Sequence, residues 1–328
     1  MSQTQTPTAP APTRRRRYSR GRQWVIRLLI LAIIATAGFL GLALLTDSRM
    51  RDAGNLSSLA PGNGIYLIVG SDSRENLPPE LGDVFGDFSG ARADVIILAQ
   101  VADGRRQLLS LPRDLRVEVP GNGVNRINAA YAIGGPELMV ETVALATGIR
   151  PNHYLEIEFG GFAAIVDALG GIELHFPYAA RDGKSGLGVE AGTYNVTGAT
   201  ALAYARSRNY EEFIDGEWVG QGGGDITRTS RQREVLLAIM KKALSPSGLV
   251  RTPLVLNAVG SHLAVDSNVN VFTLLRTGLQ MRTAGVTDSV SLPVHGAEEG
   301  GVSYVVRTEP DATVVLDAFS ARQPLTSE

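Results

Sequence analysis

Ile65-Tyr66-Leu67-Ile68-Val69-Gly70-Ser71-Asp72-Ser73-Arg74 is a short apolar strand that ends on glycine and runs directly into a polar turn. The pattern repeats outward from it. Residues 95–101, 107–111, 115–119, 153–159 and 172–176 read as further strands between Gly, Pro, Asn or Asp breakers. Residues 128–133, 136–147 (with Gly148 as the stop), 162–169 and 198–207 read as helices. Towards the C-terminus, 227–244, 255–259, 271–281 and 312–319 have helical character, and 288–293 and 304–307 are strand-like. No internal repeat is present. This alternation predicts an α/β layer fold around a largely buried sheet.

The apolar segments end on five polar motifs: Gly70-Ser71-Asp72-Ser73-Arg74, Arg92-Ala93-Asp94, Pro112-Arg113-Asp114, Arg206-Ser207-Arg208 and Arg228-Thr229-Ser230-Arg231-Gln232-Arg233. Guanidinium is planar, always charged and able to grip phosphate in bidentate fashion. Carboxylates can hold a hard divalent cation beside it. Both together suit a phosphate-rich ligand such as a pyrophosphate; the alternative is a set of unrelated solvated clusters. Strand ends of open α/β sheets are where ligands bind. Arg113 and Asp114 occupy such an end, as do Asp72 and Arg74. Asp94 stands ahead of a strand and would have to reach Asp72 across the sheet. Arg206 and Arg208 face one side only if the chain is extended between them.

The segment 227–244 gives the clearest positional argument. Val235, Leu236, Ile239, Met240 and Ala243 follow the i, i+3, i+4 rule and face the core. Stepping back by fours from Leu236 reaches Gln232 and Arg228, which places both on the core-facing stripe near a helix N-terminus, where anions are favoured. A charge there needs a partner; a protein carboxylate or a ligand phosphate would serve.

Seven arginines and no acid fall within residues 1–27, so the remaining chain is net −9 against −2 for the whole. An acidic bulk argues against nucleic acid as a partner. Residues 1–23 read as a disordered basic tail. Residues 24–45 read as a transmembrane helix: 28–45 are uncharged and apolar, and Trp24 and Arg27 suit the interface. The positive flank keeps the N-terminus cytoplasmic and places the rest outside. A cleaved signal peptide with a weak Gly41-Leu42-Ala43 site is the competing reading. Residues 46–64 read as a polar tether and 65–328 as the extracytoplasmic domain.

Other chemistries are poorly served. With no cysteine, disulfides, thiolate nucleophiles and Cys-ligated zinc are excluded. The four histidines show no metal spacing and read as structural. There is no Gly-x-Ser-x-Gly elbow, and Gly220-Gln221-Gly222-Gly223-Gly224 lacks a P-loop ending, so it reads as a mobile lid or linker within a glycine-rich loop at 216–224.

Taken in order, the motifs resemble the LytR–CpsA–Psr family of membrane-anchored cell-wall glycopolymer ligases. The likeness runs from Ile65 to about Ala243. It includes the stretches from Asn125-Arg126-Ile127-Asn128 to Pro136, from His153-Tyr154-Leu155-Glu156 to Phe162, and from Val166-Asp167-Ala168 to Ile172. The resemblance implies a mixed central β-sheet flanked by helices and preceded by one transmembrane helix. It implies transfer of an anionic glycan from a polyprenyl-pyrophosphate carrier to peptidoglycan, through a phosphodiester link. Asp72 and Asp94 would hold Mg²⁺, with Mn²⁺ as an alternative. Arg74, Arg92, Arg113, Arg206, Arg208, Arg228 and Gln232 would grip the pyrophosphate, and an apolar tunnel would take the isoprenoid. Asp72, Arg113, Asp114 and Arg228 would form the catalytic group, with either Asp114 or Asp72 accepting the acceptor's proton.

The sequence departs from the family at Asp225-Ile226-Thr227-Arg228, where glycine usually precedes the arginine, and Thr227 reads as a helix cap. The segment 209–224 is long and acidic, which would shape donor or acceptor choice. A polyprenyl-pyrophosphate hydrolase, or a membrane-tethered polyprenyl-phosphate binder without turnover, would use the same residues. Wall teichoic acid, capsule and arabinogalactan all suit the donor, and the arginine-rich composition tilts towards an actinobacterial-type wall.

Overall fold

The computed structural model describes residues 37–62, 64–71, 93–102, 104–221 and 224–325. It divides into two units, Met1–Gly41 and Leu42–Glu328. Residues 37–41, the described end of the first, are helical. Residues 24–36 of the expected membrane span lie outside the described residues, and no helix among those described is long and apolar enough to cross a membrane.

The second unit is built on a seven-stranded mixed sheet of order β1-β14-β7-β2-β3-β4-β15. β2 (Ile65–Ser71) is central, parallel to β7 (His153–Glu158) and antiparallel to β3 (Ala93–Ala102). β3 is antiparallel to β4 (Arg105–Ser110), which is parallel to β15 (Val286–Ser291). On the far side β14 (Leu263–Asp266) joins β7 to β1 (Arg51–Gly54). The strand ends of β2 and β4 and the start of β3 therefore share one edge.

Side-chain alternation explains the layering. Leu67 and Val69 of β2 point into one core with Met139, Val140 and Val143 of α1 (Ile127–Thr147) and Val315, Leu316 and Phe319 of α8 (Asp311–Ser320). Tyr66 and Ile68 point the other way, towards Leu236, Leu237 and Met240 of α4 (Gly224–Ala243). A strand covered on both faces has no polar side, which is why 65–69 is unbroken apolar sequence. In α1, Gly134 and Gly135 leave helical geometry just before Pro136, and the two expected helices are one kinked helix. Gly148 closes it at φ 73°, a left-handed conformation that favours glycine.

Beyond this sheet, α2 (Phe159–Ala168) and α3 (Gly198–Arg206) pack close together. A methyl on Gly198 would overlap the Ala163 carbonyl. β9 (Ala180–Asp182), β10 (Leu187–Val189), β12 (Glu211–Ile214) and β13 (Glu217–Gly220) form a second, four-stranded sheet. Asp182, buried at its centre, accepts hydrogen bonds from the Ser207 hydroxyl at 2.6 Å and from the Arg208 and Asn209 amides at 2.9 Å. Burial alone would raise the Asp182 pKa, but these bonds outweigh it and hold the carboxyl below its ordinary range.

Three expectations are corrected. The stretch 46–64 is not a bare tether: Arg51–Gly54 is β1 of the main sheet and Leu56 is buried in its core. The glycine-rich stretch 216–224 is not loop throughout; Gly216 turns at φ 91°, Glu217–Gly220 pairs with β12, and Gly224 already begins α4, while residues 222 and 223 of the expected lid or linker lie outside the described residues. That early start places Thr227 inside α4 rather than at its cap.

Gly198→Ala forces α2 and α3 apart, so thermal unfolding should show a stability loss of ~1–3 kcal/mol; an unchanged melting temperature would refute the tight contact. The Asp182 contribution has a depressed-pKa sign. It is fully present above the unfolded carboxylate value of about 3.9 and lost as pH falls through the lower folded value. Denaturation midpoints should therefore fall more steeply for wild type than for Asp182→Asn below about pH 4, with the variant already the weaker protein at neutral pH.

Candidate active site

The shared edge of β2, β3 and β4 collects three of the expected residues. Between Gly70–Val95 and Ser71–Ala93 the register shifts, leaving Asp94 as an extra residue in β3. A β-bulge of this kind re-aims a side chain. Here Asp94 Oδ1 meets Arg113 Nη1 at 2.6 Å, and both side chains are largely buried. Arg113 Nε lies 3.4 Å from Asp114 Oδ2. Arg126, at the end of β6 (Gly123–Arg126), brings Nε to 3.6 Å from Asp114 Oδ1. The loop after β4 is pinned where it turns into α1, because the Asn128 amide donates to the Arg113 carbonyl and the Ile127 amide to that of Leu115. The result is a preorganised row of alternating charge. Asp72, Arg74 and Arg92, assigned to the same edge from sequence, lie outside the described residues.

On the α4 face of the sheet, an apolar slot of about 80 Å³ opens beside this edge. Ile68 and Gly70 of β2, Val95 and Ile97 of β3, Phe162 of α2 and Leu202 of α3 are among its walls. Arg206 and Gln232 are its polar lining. Gly70 is required there: a Cβ would lie 2.9 Å from that of Val95. The helical stripe is as read from sequence, with Gln232 and Leu236 lining the slot and Arg228, one turn earlier, buried at 3% exposure.

Arg206 ends α3, and Ser207 then turns extended at φ −58°, ψ 124° with its side chain fully buried. That extension is the condition under which Arg206 and Arg208 leave on one side. Arg206 is half-buried at the slot and Arg208 exposed.

Several residues that shape the site were not singled out from sequence. Arg231, buried at 5% exposure, donates from Nη2 to the Ser207 carbonyl at 2.6 Å and stacks on Tyr210 at 4.7 Å. Burial lowers its pKa, against the opposing pull of Tyr204, Tyr210, Asp182 and Glu212. Its signal was available: four residues on, Val235 is fully buried. Under the other face, Glu156 accepts from Ser71 Oγ at 2.8 Å, Tyr131 at 2.6 Å and Tyr154 at 3.0 Å. Burial first, and the Glu156 carboxylate second, push both phenol pKa values well up. This network fixes Ser71, the residue before Asp72. Its signal was a polar Glu156 on the core-facing side of a strand.

The histidines divide between structural and surface positions: His153 is buried, its ring 4.8 Å from that of Tyr66 and 3.5 Å from Asp266 Oδ2, whereas His175 and His295 are exposed. Among the described residues, no three His, Cys, Asp or Glu converge as a metal cluster.

A family model described as the LytR_cpsA_psr family matches residues 52–320, starting within β1. The "Probable cell wall biosynthesis protein LcpB" of Corynebacterium glutamicum is 38% identical over 276 residues, covering 80% of this chain and 62% of that protein. The chain thus spans less than two thirds of that relative. The "Polyisoprenyl-teichoic acid--peptidoglycan teichoic acid transferase TagU" of Halalkalibacterium halodurans is 34% identical over 244 residues, covering 73% of this chain and 72% of the other. Among solved structures, the LytR-Csp2A-Psr enzyme from Actinomyces oris shares the fold with a TM-score of 0.65 at 25% identity, over 83% of this chain and 96% of that one. A mixed sheet with helices on both faces, a charged strand-end edge and a match across most of the second unit lead to one conclusion: the chain belongs to the LytR_cpsA_psr family.

Proposed function

We propose that this protein is a cell-wall glycopolymer transferase, which moves an anionic glycan from a polyprenyl-pyrophosphate carrier to peptidoglycan. The observation that carries the reading is the adjacency of two unlike surfaces: Val95 lines the apolar slot while Asp94, next to it, joins the Arg113–Asp114 row. A ligand with an apolar tail and an anionic head matches both. The name of the Halalkalibacterium relative, with its polyisoprenyl carrier and peptidoglycan acceptor, supports the same reading.

In this reading a peptidoglycan hydroxyl attacks the phosphorus attached to the glycan. The new P–O bond forms as the P–O–P bridge breaks, the bridging electron pair leaves with polyprenyl phosphate, and the hydroxyl proton passes to Asp114 or Asp72. Phosphoryl transfer asks a protein chiefly to position groups and neutralise charge. Arg113, Arg206, Arg228 and Gln232 are held to do so, and Arg208, Arg74 and Arg92 would join them. Asp94 and Asp72 would hold Mg²⁺ or Mn²⁺. Asp94 fits, being a hard oxygen donor that commits Oδ1 to Arg113 and keeps a second oxygen. When bound, the ion would neutralise pyrophosphate charge. The apolar run from residue 24 up to the start of the folded unit, where Ala43 is already packed against Leu256, would anchor the domain on the outer side of the membrane, with the basic tail inside.

The test is the full-length protein in detergent with a labelled polyprenyl-pyrophosphoryl glycan, nascent peptidoglycan and Mg²⁺. Label should enter insoluble peptidoglycan. Cleavage without incorporation would turn the reading to hydrolysis, and binding without cleavage to a tethered binder. Arg228→Ala should lower the rate ~10²–10³-fold with an unfolding curve still cooperative; near-normal turnover would remove Arg228 from the mechanism. EDTA should stop transfer and Mg²⁺ or Mn²⁺ restore it, and full activity in EDTA would refute the metal role of Asp72 and Asp94.

A further inference from the structure

The second unit starts with residues 42–47 in helical conformation. They run alongside α6 (Thr252–His262) in the same direction: Ala43 is buried in one cluster with Leu256 and Val271, and Thr46 lies against Gly260, where a Cβ would come within 3.2 Å. The chain therefore enters this unit at the N-terminal end of α6. Asp47 Oδ1 accepts from the Val271 amide at the start of α7 (Val271–Thr283), whose Leu275 packs into the same cluster as Ala43.

The outward face of this region changes character along its length. At the entry end, Leu249 and Val250 of α5 (Pro246–Val250) and Leu254 of α6 are exposed, Val250 at 83% and Leu254 at 56%. Further along α6 the exposed positions are Asn257 and Ser261. Leu44 and Leu45 are exposed at the entry end as well, and so is Leu279, one turn beyond Leu275. Residues 235–287 contain Lys241, Lys242, Arg251, Arg276 and Arg282 and a single acid, Asp266, which is fully buried beside His153. The chain beyond residue 27 is otherwise strongly acidic.

We propose that this end of the domain lies on the surface of an anionic lipid bilayer. Leu249, Val250 and Leu254 enter the interface, and Lys242 and Arg251, which flank α5 in sequence, meet lipid phosphates. The inference rests on the membrane anchor proposed above, and it adds a second, peripheral contact made by the folded domain itself. Apolar side chains rimmed by basic ones on a helix end are what an interfacial surface requires. A lipid surface is the favoured occupant, because the apolar run 28–45 leads in sequence into this same end of the unit and Lys242 and Arg251 complement anionic headgroups. A surface fixed in this way would keep the slot within reach of a membrane-embedded donor.

The absence of cysteine makes the test clean. Full-length protein carrying Leu254→Cys, or Glu118→Cys on the exposed side of β5 (Arg116–Val119) as a control, is labelled with a polarity-sensitive dye. Each is reconstituted into phosphatidylglycerol–phosphatidylcholine vesicles containing a headgroup nitroxide lipid, and flotation is checked first. The expected result is quenching at 254 at least threefold greater than at 118, reduced by high salt or by omitting phosphatidylglycerol. Equal quenching at both positions in protein that floats would overturn the surface contact and leave the anchor intact. Failure to float would overturn the anchor and the proposal with it. A concentration-dependent blue shift at 254 in detergent, with no added quenching in vesicles, would assign the face to a second copy of the chain and overturn the lipid reading.

Discussion

Arg231 is a cation held inside the domain, and the means of holding it organise the site. A buried guanidinium is costly unless strong partners offset its lost hydration. Here the Ser207 carbonyl takes Nη2 and the Tyr210 ring covers one face. Ser207 is itself fixed, since its hydroxyl donates to Asp182, which also collects the Arg208 and Asn209 amides. Tyr204 donates to Glu234 on α4, tying α3 to the same helix. One chain of polar contacts thus joins α4, the end of α3, β9 and the start of β12. The chain that carries Arg206 to the slot and Arg208 to solvent is thus fixed by buried groups behind it.

The sheet edge follows the same logic with carboxylates in the place of carbonyls. Glu156 sits under the end of β2 with three hydroxyls directed at it, and Arg51 reaches the adjacent Glu158 at 2.6 Å. Burying two carboxylates beside the strand end would be costly without these partners. With them, the backbone at Ser71 is held from below while Asp94, Arg113 and Asp114 are arranged above the turn.

Periodicity made the centre of this fold legible. β2 and the centre of β3 are apolar on both faces, and α4 carries its core stripe in the sequence, so Gln232 and Arg228 fall on that stripe by periodicity alone. What escaped was pairing. β1 and β14 are four residues each and gain their identity from their neighbours in the sheet, β1 from β14 and β14 from β7 and β1. Glu217-Trp218-Val219-Gly220 reads as part of a glycine-rich loop because its partner strand, not its own sequence, makes it a strand. Asp182 lies 25 residues from Ser207, and Glu156 lies 85 from Ser71. Contacts of that span leave no local pattern. The motifs marked the groups that face a ligand and said little about the groups that hold them.

An amphiphile asks one site to provide two solvents, and a regular strand is poorly suited to that at adjacent positions along one edge. Neighbouring residues alternate between faces, so a switch from apolar slot to charged row would separate the two halves of the ligand by the thickness of the sheet. The bulge at Asp94 removes the difficulty. One extra residue breaks the alternation, letting Val95 line the slot while Asp94 turns to Arg113 at the open edge. Gly70 opposite Val95 completes the arrangement, because any side chain there would collide with Val95 and displace the slot wall from the charged row. The adjacency of apolar slot and charged row therefore rests on two backbone features, a bulge and a missing Cβ, more than on the identity of any single charged side chain.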